Sequence, residues 1–159
     1  KVIGTTSSAE KAALAKKNGY KWVIDYTKDD IVAEVKKITK GKGVLVVFDG
    51  VGKDTWNASL DCLQPRGLMV SFGNASGAVP PVGLGILNTK GSLYVTRPSL
   101  GAYTATRAEL DASAKSLFKM VKSGKVKIAI DQRYPLAEAA QAHIDLESRK
   151  TTGQTVLVP

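Results

Sequence analysis

A chain of 159 residues, 43% hydrophobic and 23% charged, has the makeup of an ordinary globular domain and admits one domain or at most two. A fold of about this size buries roughly 70% of the unfolded surface, and the lone cysteine, Cys62, excludes an internal disulfide and a cysteine-rich zinc site. Lys and Arg outnumber Asp and Glu by 23 to 14, giving +9, but pairs such as Lys16-Lys17 and Lys36-Lys37 lie scattered over helical segments rather than in a block.

The chain opens on Lys1-Val2-Ile3-Gly4, which reads as a strand already under way, so a piece of a longer protein is expected. Val2 to Thr5 is a short β-type run. Ser7-Ser8-Ala9-Glu10 has the S-x-x-E spacing of a capping box and predicts a helix to about Lys17, stopped by Asn18-Gly19. Trp22 to Tyr26 is the next strand. Ile31, Val32, Val35 and Ile38 then recur at helical spacing. Val44 to Phe48, the longest apolar run, is far short of the ~18 residues of a membrane helix and suits a strand covered on both faces.

Asp49-Gly50-Val51-Gly52 forms its exit loop, and Trp56, Leu60 and Leu63 mark another helix, closed by a turn at Gln64-Pro65-Arg66-Gly67. Leu68 to Phe72 is a strand ending in the loop Gly73 to Gly77, and a Pro/Gly-rich stretch leads to the strand Ser92 to Thr96. Thr106 to Glu109 repeats the capping-box spacing ahead of a long helix with the stripe Leu110, Ala114, Leu117, Phe118 and Val121. A strand Val126 to Ile130, a helix from about Leu136 to Ser148 and a strand Thr155 to Val158 complete the chain.

This alternation predicts an α/β fold, a doubly wound parallel sheet with helices on both faces. Ligands of such sheets bind beyond the carboxyl ends of the strands, which directs attention to three loops. The first, Thr5 to Lys11, offers hydroxyls, a helix N-terminus and an amine suited to a phosphate; a capped helix with Lys11 in solvent explains the same residues equally well. At Asp49 to Gly52, glycine permits close approach of a ligand, yet a tight strand-to-helix turn is the simpler reading. At Phe72 to Gly77, small residues and the amide of Asn74 suit a flat ring with a polar edge. No G-x-G-x-x-G, phosphate loop or G-x-S-x-G elbow occurs, so no catalytic nucleophile stands out. His143, the one histidine, reads as a packed structural residue, and with Cys62 it makes no conventional zinc set.

Several segments are more specific: Phe48 to Trp56, Ser59 to Leu63, Arg66 to Asn74, Gly91 to Leu100, Ala142-His143 and Leu146 to Arg149. With them the chain resembles the quinone oxidoreductases of the medium-chain dehydrogenase/reductase superfamily, the group that includes zeta-crystallin, and bacterial NADPH:quinone reductases in particular. The resemblance implies NADPH as cofactor, with Lys11 and Tyr26 on its 2′-phosphate beside Ser7 and Ser8. It implies Val51 along the cofactor, Phe72, Gly73 and Asn74 near its nicotinamide, and Arg149 as a further contact, with no catalytic zinc.

Such proteins are about twice as long. They carry a GroES-like catalytic domain, a first Rossmann strand and a glycine-rich pyrophosphate turn ahead of the strand at Val2, none of which is in this sequence. The expected organisation is therefore a Rossmann-like sheet lacking its first strand over residues 1–130, and a tail over 131–159 that returns to the catalytic domain. The absent strand belongs between those at Val2 and Val44, so two central edges are expected to stand open. The resemblance further implies quinone reduction, a cytoplasmic enzyme, homodimers paired through the edge strand 92–96, and no activity for this chain alone. An RNA-binding role and a reductase of enones or alkenals are the rival readings.

Overall fold

A computed structural model describes all residues, Lys1–Pro159. The chain divides into two compact units, Lys1–Ala102 and Tyr103–Pro159.

In the first unit, β1 (Ile3–Thr6) leads to α1 (Ala9–Lys17) and then to β2 (Trp22–Asp25), which pairs with β1 in parallel from Ile3↔Trp22 to Thr6↔Asp25. Helix α2 (Ile31–Ile38) starts at Asp30, whose carboxylate accepts the Ala33 N–H at 2.7 Å, and turns Val35 inward. Next come β3 (Val44–Asp49), α3 (Trp56–Asp61), β4 (Leu63–Ser71), α4 (Gly85–Thr89) and β5 (Tyr94–Thr96). Strands β3, β4 and β5 form one parallel sheet in that order. A short helix, α5 (Leu100–Tyr103), follows.

Two apolar clusters hold this unit. Trp56, Leu60, Leu63, Met69 and Leu93 pack with Val44, Val47, Val79, Ile86 and Leu87. Ile24, Val35 and Cys62 pack with Ile3 of β1 and with Val44 and Val47 of β3, so α2 and the residues around it tie the two sheets together. No hydrogen bond joins β1 to β3. Between them lies an open cleft of about 990 Å³, lined by residues from Lys1 to Thr5 on one side and from Gly43 to Val51 on the other. This open edge explains a departure from expectation. Strand β3 is not covered on both faces: Leu45 is 67% and Phe48 73% exposed, because no chain lies against that edge.

Other boundaries also shift. The N-cap of α1 is Ser8, which accepts the Lys11 N–H at 3.2 Å, so the expected Ser7–Glu10 box is displaced by one residue and Glu10 stands exposed. The turn at Gln64 to Gly67 survives as an excursion inside β4: β3 advances from Val44 to Val46 while β4 goes from Leu63 to Leu68, with Arg66 at φ +61°. Helices α4 and α5 were not foreseen, being too short to show periodicity.

In the second unit, Thr106 caps α6 (Arg107–Lys122) with the reciprocal bonds of a capping box to Glu109, as expected. The stripe on α6 is not buried, however; Leu110, Leu117 and Phe118 are all exposed. Strand β6 spans Ile130–Pro135 rather than 126–130, because its register with β7 (Gln154–Val158) begins at Ile130. A 3-10 turn, Leu136–Glu138, leads into α7 (Ala139–Glu147). Ala142 is buried but His143 beside it is exposed, not packed, since the next helix position is turned about 100° away from the buried side. Asp145 accepts from the Tyr134 hydroxyl at 2.9 Å, tying α7 to β6.

Candidate functional site

Parallel pairing aligns the carboxyl ends of the strands, and the named residues of the first unit gather there at two stations.

At the first station the Tyr26 N–H donates to Thr6 O at 3.0 Å, continuing the β1–β2 pairing by one step. This sets Tyr26 beside the Ser7-Ser8 turn and the first turn of α1, which carries Lys11. Ser7, Ser8 and Lys11 are half-buried, and Tyr26 is exposed. The Ser8 oxygen is an acceptor for the Lys11 N–H, which leaves its own O–H free to donate. Asp25, which sequence reasoning did not single out, is occupied locally. The Thr27 hydroxyl and N–H donate to it at 2.6 and 3.1 Å, Lys28 lies 3.7 Å away, and these hold its carboxyl below the usual value, the Thr27 hydroxyl most strongly. The corner therefore presents hydroxyls, an amine and a helix N-terminus, a donor set for an anion.

The second station joins two loops, 49–55 after β3 and 72–77 after β4. Asp49 is buried, at 4% exposure, and accepts four hydrogen bonds. They come from Val51 N–H (2.8 Å), Gly52 N–H (3.0 Å), Thr55 Oγ1 (2.7 Å) and Ser59 Oγ (2.6 Å). Burial pushes its pKa up, but the bonds from Ser59, Gly52, Thr55 and Val51 prevail and the carboxyl stays below its usual value. Backbone bonds stitch the loops together: Phe72 N–H to Asp49 O, Ala75 N–H to Gly50 O, Ser76 N–H to Val51 O and Lys53 N–H to Gly77 O. Ser76 Oγ accepts from Asp54 N–H and donates to Val51 O.

Glycine is required where the loops touch. A Cβ at Gly73 would lie 2.2 Å from Gly50 O, and one at Gly52, where φ is +93°, 2.7 Å from Gly77 O. The Phe72 ring lies over Gly50 and is 56% exposed. Val51 and Asn74 are also exposed. The N–H groups of Val51 and Gly52 are taken by Asp49, so this loop is no phosphate cradle; it is a flat platform of backbone, Val51 and Phe72.

Arg97, beyond β5, also belongs here, with Nη1 donating to Ser71 Oγ at 3.2 Å and Gly73 O at 3.1 Å. Sequence reasoning missed it, as it missed Thr55 and Ser59. For the hydroxyls a signal existed: four residues apart, they share one helix face behind an acid. Of the predicted residues, Ser7, Ser8, Lys11 and Tyr26 meet at one station and Val51, Phe72, Gly73 and Asn74 at the other. Arg149 lies in the second unit, past the end of α7, with φ +60°.

A parallel α/β unit with its open loops at the strand ends defines a nucleotide-binding class of fold. The chain matches the family model described as zinc-binding dehydrogenase over residues 18–157, and it belongs to that family. It is 56% identical over 158 residues to the quinone oxidoreductase of Pseudomonas aeruginosa, covering 99% of this chain and 49% of that protein. It is 57% identical over 161 residues to quinone oxidoreductase 1 of Escherichia coli, covering 100% and 49%. The crystal structure of Escherichia coli quinone oxidoreductase complexed with NADPH matches with a TM-score of 0.96 at 56% identity, covering 100% of this chain and 49% of that one. The chain thus spans about half the length of these relatives. As to the zinc in the family's description, Cys62 is buried and no three His, Cys, Asp or Glu side chains gather into a ligand set. The residues present do not fit the metal.

Proposed function

We propose that this chain is the cofactor-binding half of an NADPH-dependent quinone reductase. The observation that carries this reading is the pair of stations at the strand ends of the first unit, one an anion-binding corner and the other a flat platform. They suit the phosphate end and the ring end of a dinucleotide. The identity of 56% to a solved quinone oxidoreductase complexed with NADPH supports the choice of cofactor and substrate.

In this reading Lys11, Tyr26 and the Ser7 and Ser8 hydroxyls hold the adenosine 2′-phosphate at the N-terminus of α1. Val51 flanks the cofactor, Phe72 covers the platform, and Gly73 and Asn74 border the nicotinamide. Arg149 is a further contact. NADPH supplies a hydride, and the chain's residues orient it and exclude water rather than act as acid or base. Residues 1–130 form the cofactor domain and 131–159 a tail returning to the substrate domain. No dedicated pyrophosphate cradle is present, so the chain alone binds NADPH weakly and turns over no quinone.

The test is reconstitution. The portion of the Escherichia coli relative outside the match is expressed separately and mixed with this chain, and NADPH oxidation is followed with a quinone. Turnover in the mixture and none in either part is expected; turnover by the chain alone, or none in a mixture shown to associate, refutes the reading. A second substrate class, activated alkenes, is supported by 45% identity to the 2-haloacrylate reductase of Burkholderia, and the same mixture assayed with an enone decides between them.

Homodimers form through β5 in this proposal. It is the outer strand of its sheet, with Tyr94 61% exposed, and such an edge can continue the sheet into a twin. A reconstituted protein that sediments as one copy of each part at high concentration contradicts this.

A further inference from the structure

The five ion pairs of this chain use Lys28, Lys37, Lys90, Arg107 and Lys150; Arg97 takes part in none of them. Its hydrogen-bond partners are two neutral oxygens, Ser71 Oγ and Gly73 O, reached across a sheet from more than twenty residues away. The pairing of Val70 with Thr96 sets the ends of β4 and β5 side by side and brings Arg97 over the turn.

The turn that Arg97 holds is tied down on one side already. Phe72 N–H and Ala75 N–H are bonded to Asp49 O and Gly50 O, and Gly73 rests directly on the Gly50 backbone. The peptide plane between Gly73 and Asn74 is another matter. Glycine leaves that plane free to rotate, and no other group bonds the Gly73 carbonyl. In a trans peptide the carbonyl and the following N–H point opposite ways, so whatever fixes the direction of Gly73 O also aims the Asn74 N–H. That N–H has no acceptor within the chain.

We propose that Arg97 is a positioning residue: its guanidinium locks the Gly73–Asn74 peptide plane and so keeps the Asn74 N–H and the Phe72 ring aimed at the bound nicotinamide cofactor. The proposal rests on the reading of Phe72, Gly73 and Asn74 as cofactor contacts. Both bonds come from the one nitrogen Nη1, whose two N–H groups are fixed in the guanidinium plane, whereas a lysine amine rotates freely about its stem.

The experiment is NMR of the isotopically labelled chain, in wild-type, Arg97→Ala and Arg97→Lys forms, with and without millimolar NADPH. In Arg97→Ala, the Gly73 carbonyl and Asn74 amide resonances shift and broaden by exchange between orientations, while the urea midpoint stays within error of wild type. NADPH affinity falls about threefold to tenfold, the scale of one ordinary hydrogen bond, since the loss reaches the cofactor only through the misaimed Asn74 N–H, and Arg97→Lys recovers part of it. Unchanged, sharp Gly73 and Asn74 signals in Arg97→Ala overturn the proposal, as does a loss of affinity that merely tracks a lowered urea midpoint. If the alanine variant broadens the turn but NADPH leaves residues 72–74 of the wild-type chain unshifted, the peptide clamp stands and the cofactor reading beneath it falls.

Discussion

Asp49 offers the sharpest energetic test of the platform. Its carboxylate satisfies four donors at 2.6 to 3.0 Å in a setting that is 4% exposed. In Asp49→Asn the remaining oxygen still accepts the Val51 and Gly52 N–H groups, and the Thr55 and Ser59 hydroxyls can rotate to meet the new amide. The loss is then that of charge assistance, about 1–2 kcal/mol. Asp49→Ala leaves two backbone N–H groups and the Ser59 hydroxyl without an acceptor in a buried space, and Thr55 keeps only its longer bond to Gly52 O at 3.3 Å. The cost is about 3–5 kcal/mol, a large part of a domain's stability. Urea unfolding followed by tryptophan fluorescence reads this directly, because Trp22 and Trp56 are the two tryptophans and both lie in the first unit.

Acidity adds a second check on the same residue. Its folded pKa is depressed, so its stabilisation is complete above the unfolded value near 3.9 and disappears as pH falls through the folded one. The gap between wild type and Asp49→Asn therefore holds from pH 7 to 5, begins to narrow near pH 4, and closes only as the pH falls through the folded value. Equal costs for Asn and Ala, or a gap that widens in acid, would refute the account of this network.

Gly73→Ala places a methyl group 2.2 Å from Gly50 O, against backbone that cannot yield, and is expected to cost about 2 kcal/mol or more. Gly83→Ala, with nothing within 4 Å of its Cβ, is the matched control and leaves the melting temperature nearly unchanged. Cys62 is buried among Ile24 and Val35, and burial pushes its thiol up to about 11. It should react with a thiol reagent at least about tenfold more slowly in the native chain than in urea; equal rates would contradict the packing.

Much of this was legible in the sequence because local and global signals agreed. Thr106 and Glu109 carry their capping box wherever the helix sits, and Val35 and Ile38 mark a face whose burial any α/β unit needs. What failed were inferences about burial by distant chain. Leu45 and Phe48, three apart and so on opposite faces of β3, read as covered on both sides, yet both stand exposed beside the open cleft. The Leu117 and Phe118 stripe is apolar and likewise stands exposed. At the site, Lys11 and Tyr26 were named through resemblance alone; the bond from Tyr26 N–H to Thr6 O brings its backbone to the strand end from which α1 starts. Arg97 was out of reach, since the bond to Gly73 O joins residues whose proximity depends on the β4–β5 register.

The central claim is that the corner formed by Ser7, Ser8, Lys11 and Tyr26 recognises a ribose 2′-phosphate. The direct measurement is titration of the labelled chain with adenosine 2′,5′-bisphosphate and with adenosine 5′-monophosphate, probes that need no pyrophosphate cradle. The bisphosphate should bind at least about tenfold more tightly, shift the amides of Ser7 to Lys11 and Tyr26, and lose that advantage in Lys11→Ala and at high salt. Equal affinity for the two nucleotides, or shifts confined to other parts of the chain, would contradict the account.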